Sequence, residues 1–255
     1  MRDLLEAVAA GEVSPEAAQA QLQGYVVGES GRFDATRETR SGVPEAILAE
    51  GKTPTEVADL TATALETTGR AIVTRTSPDH REAVHDHLQE IHPEAVIDDD
   101  QRARTLVARA AEFEVPDLDA TVGVVTAGTS DAIPAGEATA LLREMGATVK
   151  RIDDVGVASL ARVLDQLEVL RQQDVLIVAA GREGALPTVI AGLVDVPVIG
   201  LPVSTGYGHG GEGEAALSGM LQSCTALSVV NVDSGFTAGA QAGLIARQLD
   251  DARDS

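Results

Sequence analysis

The stretch Val122 to Asp131, VGVVTAGTSD, constrains the fold of this chain more than any other. Branched apolar residues stop abruptly at a loop of small and hydroxyl residues closed by an acid, the pattern of a buried parallel strand feeding an anion-binding loop. A helical pattern follows from Pro134 to Met145, with Leu141, Leu142 and Met145 on one face and Glu137, Arg143 and Glu144 elsewhere. In such a strand–loop–helix unit the loop lies at the carboxyl end of the strand, where backbone N–H groups face whatever binds. Gly128 lets a backbone come close, and Thr129, Ser130 and Asp131 offer partners for a ribose or a phosphate. Ser and Asp also favour helix N-caps for purely local reasons, so the loop taken alone reads as readily as a cap.

The unit recurs. After a boundary near Pro116, strands at about Thr121 to Thr126, Ala147 to Ile152, Asp174 to Ala179, Val196 to Leu201 and Ala226 to Val232 alternate with helices. The alternation predicts an α/β domain over 117–255, a parallel sheet covered on both faces. Right-handed crossovers then bring the strand-end loops to one rim. These loops read TAGTSD (126–131), AAGREGALP (179–187), PVSTGYGHGGEGE (202–214) and NVDSGFTAG (231–239). Several glycine- and hydroxyl-rich loops converging on one rim favour a polar ligand over a set of unrelated turns.

Residues 1–116 read as a smaller α+β domain. Short helices are expected over Asp3 to Ala10 and Pro15 to Leu22, a strand at Tyr25 to Val27, and a loop or edge strand over Arg32 to Arg40. Thr53, Pro54 and Glu56 combine an N-cap, a first-turn proline and a capping-box acid, opening a helix that reaches Thr68 before Gly69. A strand at Ala71 to Thr76 follows, then a helix from Pro78 to Glu90; Val96 to Asp98 is expected to pair with that strand, and Arg102 to Glu114 looks helical. His80, His85, His87 and His92 invite a metal reading, but an HxH pair on a helix points its rings about 200° apart, which favours a solvated charged helix.

Composition narrows the function. The formal charge is −21, and Lys52 and Lys150 are the only lysines. Such an acidic, arginine-based surface suits a high-salt cytoplasm and repels nucleic acid, and five aromatic residues, none of them Trp, make poor base-stacking platforms. No run approaches the roughly 18 apolar residues of a spanning helix, and the amino terminus is unlike a signal peptide, so a cytoplasmic protein is expected. Cys224 is the single cysteine, which leaves no disulfide within one chain and no zinc-type cysteine cluster.

The loops TAGTSD, GREGALPTVIAGL, PVSTGYG, LQSC and SVVNVDSGFTAG resemble the LarB family, which makes pyridinium-3,5-biscarboxylic acid mononucleotide for the nickel-pincer cofactor of lactate racemase. LLEAVAAGEVSPEAA and GVPEAILAEGKTP are also similar to that family, so the resemblance covers nearly the whole chain. The carboxyl-terminal half resembles the PurE-type aminoimidazole ribonucleotide carboxylases, a flavodoxin-type three-layer fold. Where PurE carries a catalytic histidine just before Leu-Pro, this chain has Ala185 before Leu186 and Pro187.

The resemblance implies carboxylation at C5 of the pyridinium ring of nicotinic acid adenine dinucleotide by CO2, with hydrolysis of the phosphoanhydride to release AMP. It assigns Cys224 as the nucleophile that adds to the ring, Glu183 as the base for the C5 proton, and Asp131 to orienting ribose or water. Gly128, Thr129, Ser130, Gly181, Arg182 and Gly184 are expected around the nucleotide, with Ala185, Leu186 and Pro187 completing that loop and Ser204, Thr205 and Gly206 adding donors. His209 is left outside this set. Magnesium is expected with the substrate phosphates, no organic cofactor is implied, and PurE-like domains, which commonly assemble as octamers, imply a symmetric homo-oligomer. A PurE-like carboxylase or mutase and a non-catalytic nucleotide sensor stay open as alternatives.

Overall fold

The computed structural model describes residues 2–10, 15, 18, 19, 22, 24–28, 30–206 and 209–254. The chain divides into two compact units, Met1–Glu114 and Val115–Ser255. Among the described residues, no helix is long and apolar enough to cross a membrane.

The first unit opens with α1 (Arg2–Ala10), a β1 (Val26–Gly28) and β2 (Gly31–Phe33) hairpin, and the short α2 (Arg37–Ser41). Half of the helix expected over Pro15 to Leu22 lies outside the described residues. The charged run Arg32 to Arg40 thus resolves into a strand end, a turn and one helical turn. After β3 (Ile47–Leu48), Thr53 and Glu56 form a complete capping box at the start of α3 (Pro54–Thr68), and Gly69 closes it in the left-handed conformation at φ 75°. β4 (Arg70–Thr74) leads to α4 (Pro78–Ile91), where Ser77 and His80 exchange backbone and side-chain bonds across the first turn. His80 is therefore a buried capping residue that also bonds the Lys52 carbonyl, while His85, His87 and His92 face Asp99, Asp59 and Glu66 respectively.

Two expectations are corrected here. The segment read as helical, Arg102 to Glu114, contains β6 (Thr105–Arg109), which lies between β4 and β5 (Val96–Asp100) and pairs antiparallel with both. Consequently β5 pairs with β6 and not with β4, and the sheet order is β3-β4-β6-β5. The apolar run Leu106 to Ala108 is too short for its periodicity to separate strand from helix, and two sheet neighbours decide it.

The second unit is a doubly wound parallel sheet. Its strands are β7 (Leu118–Thr126), β8 (Ala147–Ile152), β9 (Val175–Ala180), β10 (Val198–Pro202) and the short β11 (Ser228–Val229), in the order β11-β10-β9-β7-β8, all parallel. The helices are α5 (Ala132–Glu144), α6 (Leu160–Asp165), α7 (Leu167–Arg171), α8 (Ala185–Ala191), α9 (Glu214–Leu221) and α10 (Gly235–Arg253). Alternate residues of β9 divide the core: Val175, Ile177 and Ala179 join one apolar cluster with Ala135, Ala138 and Ala242, whereas Leu176, Val178 and Ala180 join Leu186, Ile190 and Met220. That two-sided burial is why the strands read as continuous apolar runs.

On the first face α5 and α10 pack unusually close. A side chain on Gly235 would collide with the Pro134 carbonyl, and one on Gly239 would stand 2.9 Å from the Ala138 carbonyl. The approach lets the Phe236 N–H donate to Glu137 at 3.0 Å and sets where α10 begins on the rim. Replacing Gly235→Ala forces backbone against backbone; urea denaturation is expected to show a loss of about 1–3 kcal/mol or more.

Candidate active site

The strand order reverses between β7 and β9: the chain steps from β7 outward to β8, then returns to add β9, β10 and β11 on the other side. Loops leaving neighbouring strands diverge at such a point and open a crevice. A cavity of about 420 Å³ occupies it, within the range of small-molecule sites.

Three loops foreseen from the sequence line it: Gly128, Ser130 and Asp131 after β7; Gly181, Arg182, Glu183, Ala185 and Leu186 after β9; and Thr205 after β10. A fourth wall, Gly156, Val157 and Ala158 after β8, was not foreseen. Its signal was the Gly156 that follows a strand of the same sheet: a Cβ there would press to 2.7 Å on the Ala127 carbonyl, and the Val155 N–H bonds Thr126. The NVDSGFTAG loop supports the rim from behind, with Asp233 accepting the Ser204 N–H at 3.0 Å.

Other expected residues stand outside the cavity. Ser204 is turned to Asp233, and Pro187 is buried beneath. Gly184 starts α8 at φ 65°, where a Cβ would press on the Ala216 carbonyl, and Thr129 is exposed on the short 3-10 turn Thr129–Asp131. Gly206 lines a second, smaller cavity of about 200 Å³ together with Arg182, Glu183, His209, Gly210, Gly211, Gly213 and Ala215. Arg182 and Glu183 belong to both.

Cys224 lies apart from either cavity. It is exposed, in the loop joining α9 to β11. Helix α9 runs over eight residues, about 12 Å of helical rise, between the loop after β10 and the loop before β11, with Gly219 against the Glu183 carbonyl. In the loop before β11, Thr225 packs beside Gly192, the far end of the helix whose first residues, Ala185 and Leu186, line the pocket. Among the described residues of one chain, Cys224 lines neither cavity.

Asp131 anchors the loops. Its carboxylate accepts the Gly128 N–H at 2.8 Å and lies 3.5 Å from the hydroxyls of Ser130 and Thr205, so one side chain ties the β7 loop to the β10 loop. Desolvation raises its pKa above the ordinary carboxyl value, with the Gly128, Thr205, Ser130 and Ala127 hydrogen bonds acting against the rise. Gly128 is the other informative residue. Its backbone is extended, at φ −152° and ψ −179°, and a Cβ there would meet nothing within 4 Å. Neither conformation nor packing demands glycine, so the open space is left for a ligand.

Two family models match the chain in turn. Residues 27–111 match the LarB/PurE-like N-terminal domain, and residues 121–255 match the AIR carboxylase domain. The chain belongs to the LarB family. A relative in Methanocaldococcus jannaschii, the uncharacterized protein MJ0165, is 38% identical over 254 residues and 97% of each chain. Crystal structures of PurE and of a PurE2 variant from Treponema denticola align with TM-scores of 0.39 and 0.38, at 16% and 17% identity, over 52% of this chain and 95% and 94% of theirs. The LarB-type pairing of domains makes this a carboxylase-type protein.

Two outcomes test the site in this LarB chain. Gly128→Ala should stabilise the fold by about 0.4–1 kcal/mol, as alanine does where the backbone suits it, while calorimetry with a nucleotide ligand shows weaker binding. Asp131→Asn removes a charge that burial penalises. Because the folded pKa is raised, the parent loses stability as pH climbs from the ordinary carboxyl value through that raised one. The variant should therefore melt higher at pH 7.5, by about 2–4 °C for ~1 kcal/mol in a chain this size, and the gap should close on acidification.

Proposed function

We propose that this protein carboxylates C5 of the pyridinium ring of nicotinic acid adenine dinucleotide with CO2 and hydrolyses the phosphoanhydride, yielding pyridinium-3,5-biscarboxylic acid mononucleotide and AMP. What supports the reading is the LarB-type domain pair together with a switch-point pocket that presents a carboxylate, Glu183, and has Ala185 where a PurE-type histidine would stand. The latter observation carries most weight, because it sets the proton chemistry apart from that of the purine enzymes.

A pyridinium C5 is too electron-poor to attack CO2. A thiolate adding at C6 forms an S–C bond and leaves a neutral enamine whose nucleophilic carbon is C5; that carbon then bonds CO2. Glu183 removes the C5 proton, and the S–C bond breaks with its electron pair returning to sulfur, which restores the aromatic cation. In the hydrolytic step water bonds one phosphorus, and the bridging oxygen leaves with the electron pair on the other phosphate. Asp131 holds the loops and orients the ligand. Among the described residues no cluster of three or more histidine, cysteine or carboxylate side chains suits a metal ion; magnesium would arrive on the substrate's own phosphate oxygens, where it supplies charge neutralisation.

Cys224, exposed and outside the lining of its own chain's pocket, serves the pocket of a second copy. Leu221 beside the cysteine loop is 64% exposed, and Leu160 and Leu164, following the pocket wall at Val157 and Ala158, are each 55% exposed. A head-to-tail contact that brings these two apolar groups together covers both, and such contacts close into rings.

The test uses purified protein with the dinucleotide, bicarbonate and magnesium in high salt, read by mass spectrometry. Dicarboxylated mononucleotide and AMP are expected; their absence rejects the reading, and turnover of aminoimidazole ribonucleotide instead would point to the purine reaction. Cys224→Ala and Glu183→Gln should each abolish carboxylation. Co-expressed in equal amounts, they should recover about a quarter of the parent activity if each site draws on two chains, and none if the thiol acts within its own chain.

A further inference from the structure

We infer that helix α9 is the brace that holds Glu183 in its working position, and that Gly219 is the positioning residue through which it does so. This rests on the role given to Glu183 above and adds the element that fixes its backbone.

Arg182 and Glu183 are the middle residues of a turn closed by the Gly184 N–H, which donates to the Gly181 carbonyl at 3.0 Å, and both line the pocket. Arg182 adopts φ 52° there, a conformation that a residue with a side chain keeps only where its surroundings impose it. Two neighbouring elements impose it. At the start of the turn, any side chain on Gly181 would collide with the Thr205 carbonyl of the β10 loop. At its end, a Cβ on Gly184 would stand 2.6 Å from the Ala216 carbonyl, and a Cβ on Gly219 would collide with the Glu183 carbonyl. Ala216 and Gly219 are three residues apart, hence neighbours on one face of α9, and they meet two consecutive residues of the turn. Backbone touches backbone at both points, so no rotamer change relieves the contact.

The composition of α9 makes the same point. Gly219 lies inside the helix Glu214–Leu221, where glycine is the poorest choice after proline. It is exposed, so it fills no core, and outside its own helix the Glu183 carbonyl group is all that a Cβ would meet among the described residues. Only that approach asks for a residue without a side chain. The helix is itself fixed, because Ala216 and Met220 are buried in the cluster that holds Val178, Ala180, Leu186 and Ile190. The core beneath α9 therefore sets where the Glu183 backbone stands.

A general base must lie within hydrogen-bond reach of the proton it takes, and a displacement of about 1 Å can cost about a hundredfold in rate. Such a base acts in the transition state, so its displacement lowers kcat and leaves KM nearly unchanged.

The experiment compares the full-length parent with Gly219→Ala, which crowds the turn, and Ala216→Gly, which loosens the helix by removing a buried methyl. Gly243→Ala is the control: it crowds Met145, outside the lining of both cavities. Amide hydrogen exchange of the peptide 181–187 should speed up by about tenfold in both α9 variants, the size of one disturbed packing contact, and match the parent in the control. With nicotinic acid adenine dinucleotide, bicarbonate and magnesium, kcat of the α9 variants should fall by about tenfold or more while KM stays within about twofold. Dinucleotide deuterated at C5 should show a larger isotope effect on their kcat than on the parent's, because removal of that proton has become the slow step. Exchange of 181–187 that matches the parent in both α9 variants overturns the inference, and so does faster exchange with kcat and isotope effect unaltered. If the parent yields no carboxylated product, the carboxylase reading fails, and the exchange rates alone decide whether α9 holds the turn.

Discussion

The contact on which the rest of the site depends is the seating of the Gly181 backbone against the Thr205 carbonyl, a position no side chain at 181 would permit. It presses the β9 loop onto the β10 loop. Asp131 then reaches Thr205 from the β7 loop, so three separate segments meet at the strand reversal. Each is short, anchored at a buried strand end, and held by backbone groups. A rim built this way orients ligands with little loop entropy left to lose.

That rim stores unfavourable energy. Asp131 is 3% exposed and carries a raised pKa, and Arg182 sits at φ 52°, a left-handed conformation uncommon for residues other than glycine. Departures of both kinds concentrate where binding or chemistry requires them. The capping boxes of α3 and α4 and the alternating core of β9 lie at the other extreme, where local preference and packing agree.

The direction of a single helix controls how the chemistry is distributed. In a parallel sheet each connecting helix returns the chain to the amino-terminal rim, so α9 separates the PVSTG loop from the LQSC loop by its whole length. Neighbours in sequence become opposite ends of a layer. Cys224 therefore stands exposed, outside the lining of both cavities of its own chain.

The sequence by itself determined the strands of the second unit, the glycine-rich loops at their ends, the α3 capping box and the resemblance that named the family, because each is written in a contiguous stretch of residues. Periodicity separates long elements reliably, and it failed at Leu106 to Ala108, where three apolar residues became a strand through neighbours far off in the chain. Tertiary structure alone decided the Gly156 to Ala158 wall, the shared Arg182 and Glu183 between two cavities, and the removal of Cys224 from both. Those are facts of strand order and helix direction, and a linear spacing does not encode which rim of a sheet a residue will occupy until the strands have been ordered.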